Sequence, residues 1–219
     1  MIQPESPLQA VRKQVNELFE RLGRVDHSAV MKRCDVVYLS SQGSGLGRYI
    51  VNVLNKTYTV ELDSGKVVDL TNGRDAGEKL SYVVLEYLTS EGSSGSHEGW
   101  QSLEATLTQL SHRSYYQKTV VRPLEKLFGY NAELFEEVSK RLTGKKEKLG
   151  GTAYSFIFLP KARALIQLWV GKASEFTKPK INTSFNTGAR GFLKETALLY
   201  AFETMVEFME KEVKRMRKT

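Results

Sequence analysis

Residues 152–170, TAYSFIFLPKARALIQLWV, are the densest apolar run of the chain. Tyr154, Phe156 and Phe158 alternate with Ser155, Ile157 and Leu159. Beyond Pro160-Lys161-Ala162, the residues Ala164, Ile166, Leu168 and Val170 alternate with Leu165, Gln167 and Trp169. A period of two belongs to a strand, because successive side chains point to opposite faces, and Pro-Lys-Ala supplies the turn between two strands. Apolar residues at both parities predict a strand pair covered on both sides. Residues 181–185 form a third candidate strand, which turns at Asn186-Thr187-Gly188 into a helix running to Met216. On that helix Phe192, Thr196, Leu199, Phe202, Val206, Met209, Val213 and Met216 step by three or four, which lays one stripe across the sheet.

Working outward, Ser6 is placed to cap a first helix, with Pro7 at its first position, Gln9 closing a capping box and Gly23 ending it. Leu8, Val11, Val15, Leu18 and Leu22 give that helix its apolar side. A short helix follows near Asp26, and Cys34 at its end reads as a small buried hydrophobe. Residues 35–39 read as a strand, and 49–54, 58–62 and 67–70 as a meander with one apolar face. The glycines of 40–47 lack a following helix and the Lys-Ser/Thr of a phosphate loop, so they are expected to turn the chain only. Asp75 and Glu78 predict the start of a helix with Leu80, Val83, Val84, Tyr87 and Leu88 on one stripe.

Residues 91–99 form a Gly/Ser loop in which His97-Glu98 is expected to be solvated. Residues 100–107 stay open between a strand and an irregular run. Pro123 is predicted to kink or divide the helical segment from Tyr116 to Leu127, and Asn131 to cap a helix that Gly144 closes. Residues 145–151 read as a polar link into the opening stretch.

These elements predict an α+β fold: a mostly antiparallel sheet, made of an N-terminal meander and a central strand pair near 152–170, packed by several helices including a long C-terminal one. At 219 residues the chain can hide roughly 70% of its unfolded surface. We expect a single domain over 1–219, with helices and meander in 1–70, a helical middle in 75–144, and the strand pair and long helix in 152–217. With 41% hydrophobic and 26% charged residues the composition is that of an ordinary globular chain. No membrane-length apolar window and no signal-peptide core are present, so a cytoplasmic location with no membrane partner is expected. One cysteine cannot make an internal disulfide, a cysteine-rich zinc site or an iron–sulfur centre alone, and His27, His97 and His112 are not at metal-ligand spacing. No nucleophile stands near a base, so neither catalytic residues nor cofactors nor metals are expected. Glu203, Glu207 and Glu210 on the last helix read as salt-bridging partners.

Charge is the feature above background. Across 140–194 twelve Lys or Arg face two acids, Glu147 and Glu175, a net of +10 where the whole chain carries +7. A surface that binds nucleic acid combines phosphate-binding cations with aromatic platforms, and Phe176, Phe185 and Phe192 are interleaved with these lysines. We therefore expect a non-catalytic protein that binds RNA or a ribonucleoprotein through Lys145, Lys146, Lys148, Lys172, Lys178, Lys180, Arg190 and Lys194.

The order of short motifs also resembles a known family, the bacterial and archaeal domain of unknown function 3786. The pieces are Val25-Asp26, Tyr58-Thr59-Val60, residues 82–88, Gly99-Trp100, Leu127-Phe128-Gly129, Leu159-Pro160, Leu168-Trp169, Glu175-Phe176, and Leu193 two before Glu195. Some members of the family are joined to iron–sulfur domains, so the resemblance implies, as an alternative, an accessory role beside redox or iron–sulfur proteins in anaerobic cofactor metabolism. The family pattern puts acids before the Glu-Phe pair and an Asp after the later Phe. Here Lys172-Ala173-Ser174 precede Glu175 and Asn186 follows Phe185, which argues against an acidic or metal pocket there. Glu175 and Glu195 alone carry over.

Overall fold

The structure is a computed structural model that describes residues 7–218 apart from 42, 44 and 93–97. Ser6 and His97 therefore lie outside the described residues. Helix α1 (Pro7–Leu22) buries Val11, Val15 and Leu22. Helix α2 (His27–Cys34) is capped by Asp26, whose Oδ1 accepts from the Ser28 amide at 2.9 Å. It ends on Asp35 in the left-handed conformation (φ 53°), so the following strand opens at Val37 and not at Asp35.

Strands β1 (Val37–Leu39), β2 (Arg48–Val53), β3 (Lys56–Glu61) and β4 (Lys66–Asp69) form an antiparallel sheet in sequence order. Tyr49, Val51 and Val53 are buried while Arg48 and Asn52 are exposed, the single apolar face expected of a meander. The glycine loop before β2 is closed by a carboxylate, since Asp63 Oδ1 accepts from the Leu46 amide at 2.8 Å. Gly47 has φ 85°, and a Cβ there would stand 2.4 Å from the Leu39 carbonyl oxygen, so its glycine serves chain reversal.

Helix α3 (Glu78–Thr89) departs from expectation twice. Its N-cap is Gly77, because Asp75 is drawn into a bridge with Val68 beside β4 and accepts from the Gly77 amide. Its buried surface is not a stripe either: every residue from Leu80 to Thr89 is buried, with α1 and α2 packed against it. Beyond it come β5 (Trp100–Ser102), α4 (Leu103–Thr106) and α5 (Leu110–Tyr116), which resolve residues 100–107 into a short strand and a helical turn. A π-helical turn, Gln117–Val121, then leads into α6 (Arg122–Phe128) without a break. Pro123 has no N–H to give back to the preceding turn, and the helix absorbs it by widening: the Arg122 amide bonds Gln117 O, five residues back.

Helix α7 (Ala132–Arg141) starts at Asn131, whose side chain accepts from Leu134 N at 2.9 Å. Its left-handed closing residue is Thr143 (φ 60°) where Gly144 was expected. Gly144 is needed for packing, since a Cβ there would meet the Phe156 ring at 2.7 Å.

The expected polar link at 145–151 contains a strand, β6 (Lys145–Glu147), whose charges suit a sheet edge. It joins β7 (Thr152–Leu159), β8 (Ala162–Trp169) and β9 (Lys180–Asn186) in a second antiparallel sheet of order β5-β9-β8-β7-β6. A 3-10 turn, Thr187–Gly191, separates β9 from α8 (Glu195–Met216), which packs against α3 and α7.

One face of this second sheet is core. Tyr154, Phe156, Phe158, Ile166, Leu168 and Phe185 are buried there, with Phe135 of α7 edge-on to Tyr154 at 5.7 Å and the Tyr116 hydroxyl 3.0 Å from Thr183 Oγ1. The other face is covered only in part: Ala153, Ser155, Leu165 and Ser184 are buried on it. It carries Ile157, 62% exposed, Trp169, 36% exposed, and the polar residues Arg163, Gln167, Lys180 and Asn182. Burial on this face is therefore uneven, with those four residues of its middle buried and its margins at Ile157 and Trp169 exposed. Phe156→Ala is expected to cost about 3–5 kcal/mol in urea unfolding, whereas Ile157→Ala, one residue on, stays within about 0.5 kcal/mol.

Candidate nucleic-acid interface

The open face is organised by the two tryptophans of the chain, both of which lie on it. Trp100, on the edge strand β5, has the Arg163 guanidinium 5.2 Å from its ring centroid. Arg163 also donates to Ser155 Oγ at 3.3 Å and lies 3.6 Å from Glu147, so it ties β8 to β7 and β6. Trp169, at the far end of β8, has Lys180 Nζ 5.5 Å from its centroid. Behind the indole run Gly150 and Gly151; a Cβ at Gly151 would come within 3.2 Å of the ring and 2.6 Å of Leu168 O. Between the two indoles, Asn182 donates to Gln167 at 3.1 Å and leaves amide groups on the surface.

The loop after β8 carries a further ring, Phe176, and a fourth, Tyr130, reaches the base of that loop from the segment between α6 and α7. Lys172 and Thr177 exchange backbone hydrogen bonds of 3.0 and 3.1 Å, which closes a tight reversal. Phe176 sits in that reversal at φ 53° and is 94% exposed. Left-handed backbone in a bulky residue costs about 1–3 kcal/mol, and here it holds an aromatic ring in solvent. The base of the loop is pinned by the Gly171 amide to Gly129 O at 2.8 Å, next to Tyr130, which is 59% exposed. No side chain fits at Gly171, where a Cβ would lie 2.6 Å from Thr177 O and 2.8 Å from the Tyr130 ring. Tyr130 thus meets the base of the loop that carries Phe176, and that base, at Gly171, lies two residues after Trp169 at the end of β8: an aromatic corner set by the backbone connections.

The lysines expected to make a single basic surface are divided by the fold. Lys148, Lys178 and Lys180 are exposed. Lys180 lies over Trp169, Lys178 is in the loop that carries Phe176, and Lys148 is in the β6–β7 turn whose Gly150 backs Trp169, while Lys172 in the Phe176 loop is paired with Glu175 at 2.9 Å. Lys145 points to the open face, in register with Ser155. Lys146 has the opposite parity and bonds Glu136 of α7 at 2.7 Å. Arg190 and Lys194 follow the other end of β9, about 20 Å from Lys180 by strand length, and Lys194 lies 3.2 Å from the buried Glu86. Of the interleaved phenylalanines only Phe176 is available; Phe185 and Phe192 are core. Trp100, Tyr130, Arg163 and Trp169 were missed, the last because it read as core. The signal for the face was present, because Ser155, Arg163, Gln167, Asn182 and Ser184 share the parity of Trp169 across three strands.

Glu195 and His112 do meet, 2.6 Å apart, and Glu195 also accepts from the Thr108 amide and hydroxyl at 3.2 and 3.0 Å. Glu175 is not among them. Burial pushes the Glu195 carboxyl upward, but the bonds from His112 and Thr108 outweigh it and hold it below the ordinary value of 4.5. The three residues fasten the start of α8 to the α4–α5 junction. Cys34 is fully buried, its thiol bonds Tyr87 O, and burial pushes its pKa up to about 11. Among the described residues no cluster of His, Cys, Asp or Glu could hold a metal ion, and no helix is long and apolar enough to cross a membrane.

Residues 26–207 match the family described as Domain of unknown function (DUF3786). The chain belongs to this family. No curated relative and no solved structure matches it. Three of the motifs that carry the DUF3786 resemblance, Leu127-Phe128-Gly129, Leu168-Trp169 and Glu175-Phe176, converge on the aromatic corner.

A group with a depressed folded pKa stabilises above its unfolded value and loses that contribution as pH falls through the folded one. Glu195→Gln should therefore be less stable than the parent at pH 7, and the gap in urea midpoint should narrow progressively as pH falls below 4.5.

Proposed function

We propose that this DUF3786 protein binds single-stranded RNA, alone or within a ribonucleoprotein, on the open face of the second sheet. The observation that carries this reading is the aromatic corner: three exposed rings, one of them on left-handed backbone, with Lys180 over Trp169 and the exposed Lys148 and Lys178 on the turn and loop that border it. Stacking on such rings tolerates any base, and lysines beside them take the phosphates. The Gln167 and Asn182 amides supply hydrogen-bonding groups between the corner and Trp100. The role is binding without catalysis.

Both tryptophans lie on the proposed surface, so their emission reports on it directly. A short oligouridylate should quench the emission saturably. Its affinity should fall about tenfold or more between 50 and 200 mM salt, as a few phosphate contacts imply. Trp169→Ala should weaken binding by about 1–3 kcal/mol, and Lys178→Glu with Lys180→Glu should flatten the salt dependence. Salt-independent binding, or a Trp169→Ala protein that binds like the parent, would rule the proposal out. Recovery of the intact protein with an iron–sulfur partner, unchanged by nuclease, would point to the accessory role beside redox proteins instead.

A further inference from the structure

Away from the sheet face, the π-helical turn and α6 run beside the last turns of α8 and enclose a groove of about 460 Å³. Lys118, Arg122 and Lys126 line one side, Lys214 and Arg217 the other, and Glu210 is the one acid among them. Pro123, Leu127 and Val213 form its apolar walls.

All five cations are exposed, and none has an ion pair or side-chain hydrogen bond among the described residues. The same helix shows that pairing is available where the chain uses it: Lys211 lies 4.0 Å from Glu207, and Arg215 is bonded to Glu212. Glu210, expected to be a salt-bridging residue like Glu203 and Glu207, has no ion pair among the described residues although it lines a groove with five cations.

The sequence builds this arrangement through Pro123. The residues Lys118, Arg122 and Lys126 are spaced by four, about 6 Å apart along a helix axis. The widened turn ahead of the proline keeps the helix continuous, so the three stay on one flank while Val120, Leu124 and Phe128 are buried on the other. Five like charges held around one groove repel each other until a counter-anion enters, and an anion with several charged groups relieves more of that repulsion than a monovalent one.

We propose that this groove binds a run of phosphoryl groups, as in an oligophosphate chain. Lys and Arg on two walls would grip the phosphates, and the Glu210 carboxylate would accept a hydrogen bond from a hydroxyl or amine on the rest of the ligand. The site is independent of the sheet face. Free nucleotides and an RNA backbone both present such phosphates.

Calorimetric titration of the full chain with inorganic tripolyphosphate, at constant ionic strength near 150 mM, tests the site. Saturable binding at one site is expected, with sulfate at equal ionic strength a poor competitor. Lys118→Glu with Arg122→Glu, and separately Lys214→Glu with Arg217→Glu, should each weaken it by about tenfold or more. Arg122→Gln should weaken it less, and serves if a double reversal fails to fold. Trp169→Ala should leave it unchanged, so that failure of RNA binding on the sheet and failure of this site are told apart. Competition by a nucleoside triphosphate but not by a 5′-hydroxyl oligoribonucleotide assigns the site to free nucleotides, and competition by the oligoribonucleotide assigns it to an RNA backbone; either supports the site. Absence of saturable binding, or equal affinity in both charge-reversed proteins, overturns it.

Discussion

The constraint on which the rest of the molecule depends is that α3 has no side left for solvent. A helix buried all round needs neighbours on every flank, and α1, α2 and α8 supply them. Tyr87, in its last turns, fixes how those neighbours meet. Its buried hydroxyl donates to the Cys34 carbonyl at 2.7 Å and accepts from the Lys161 amide at 3.0 Å, which joins the end of α2 to the β7–β8 turn. Leaving such groups unpaired in the interior would cost about 1–3 kcal/mol each. With α4, α6, α7 and α8 packed on the inner face of the second sheet, and α3 behind α8, the helices are used up on one side. The open face follows from that allocation.

The fold was legible where one physical rule acted alone. Period-two alternation placed β2, β3, β7 and β8, and Asp26 and Asn131 placed two helix starts through their side-chain caps. Errors arose where two rules competed. Asp75 could cap α3 or lengthen the pairing of β4, and pairing won, which left Gly77 to start the helix. Lys145 and Lys146 read as a linker by charge alone, yet an edge strand is where charge is tolerated. Ile157 and Trp169 looked like a second buried layer because hydrophobicity does not say whether a partner element exists to cover it. Pro123 suggested a break, whereas a helix can also lodge a proline by widening one turn.

The candidate surface was legible only in part. Lys172, Lys178, Lys180 and Phe176 are adjacent in sequence and remain adjacent in space. Tyr130 and Gly129 come to the same corner from another part of the chain through the Gly171 amide, a contact with no local signature. Counting charge along a window also joined residues that a strand then carries apart, as with Lys180 and Arg190 at opposite ends of β9. The same counting passed over Lys118, Arg122 and Lys126, whose spacing of four is a surface signal only if the helix is continuous through Pro123.

The placement of β5 bears on how the molecule assembles. Trp100 pairs with Asn186, and between them the chain builds α4 to α7 and β6 to β8. The hairpin of β7 and β8 closes over a two-residue turn and can form early, whereas joining β5 to β9 means closing a loop that contains half the elements of the protein. Of the pairings within the second sheet, this is the one with the largest closure entropy, and only three residues of ladder offset it. The edge that carries Trp100 is thus a late addition to a sheet already formed, and the surface reaches its full width only when the chain has otherwise folded.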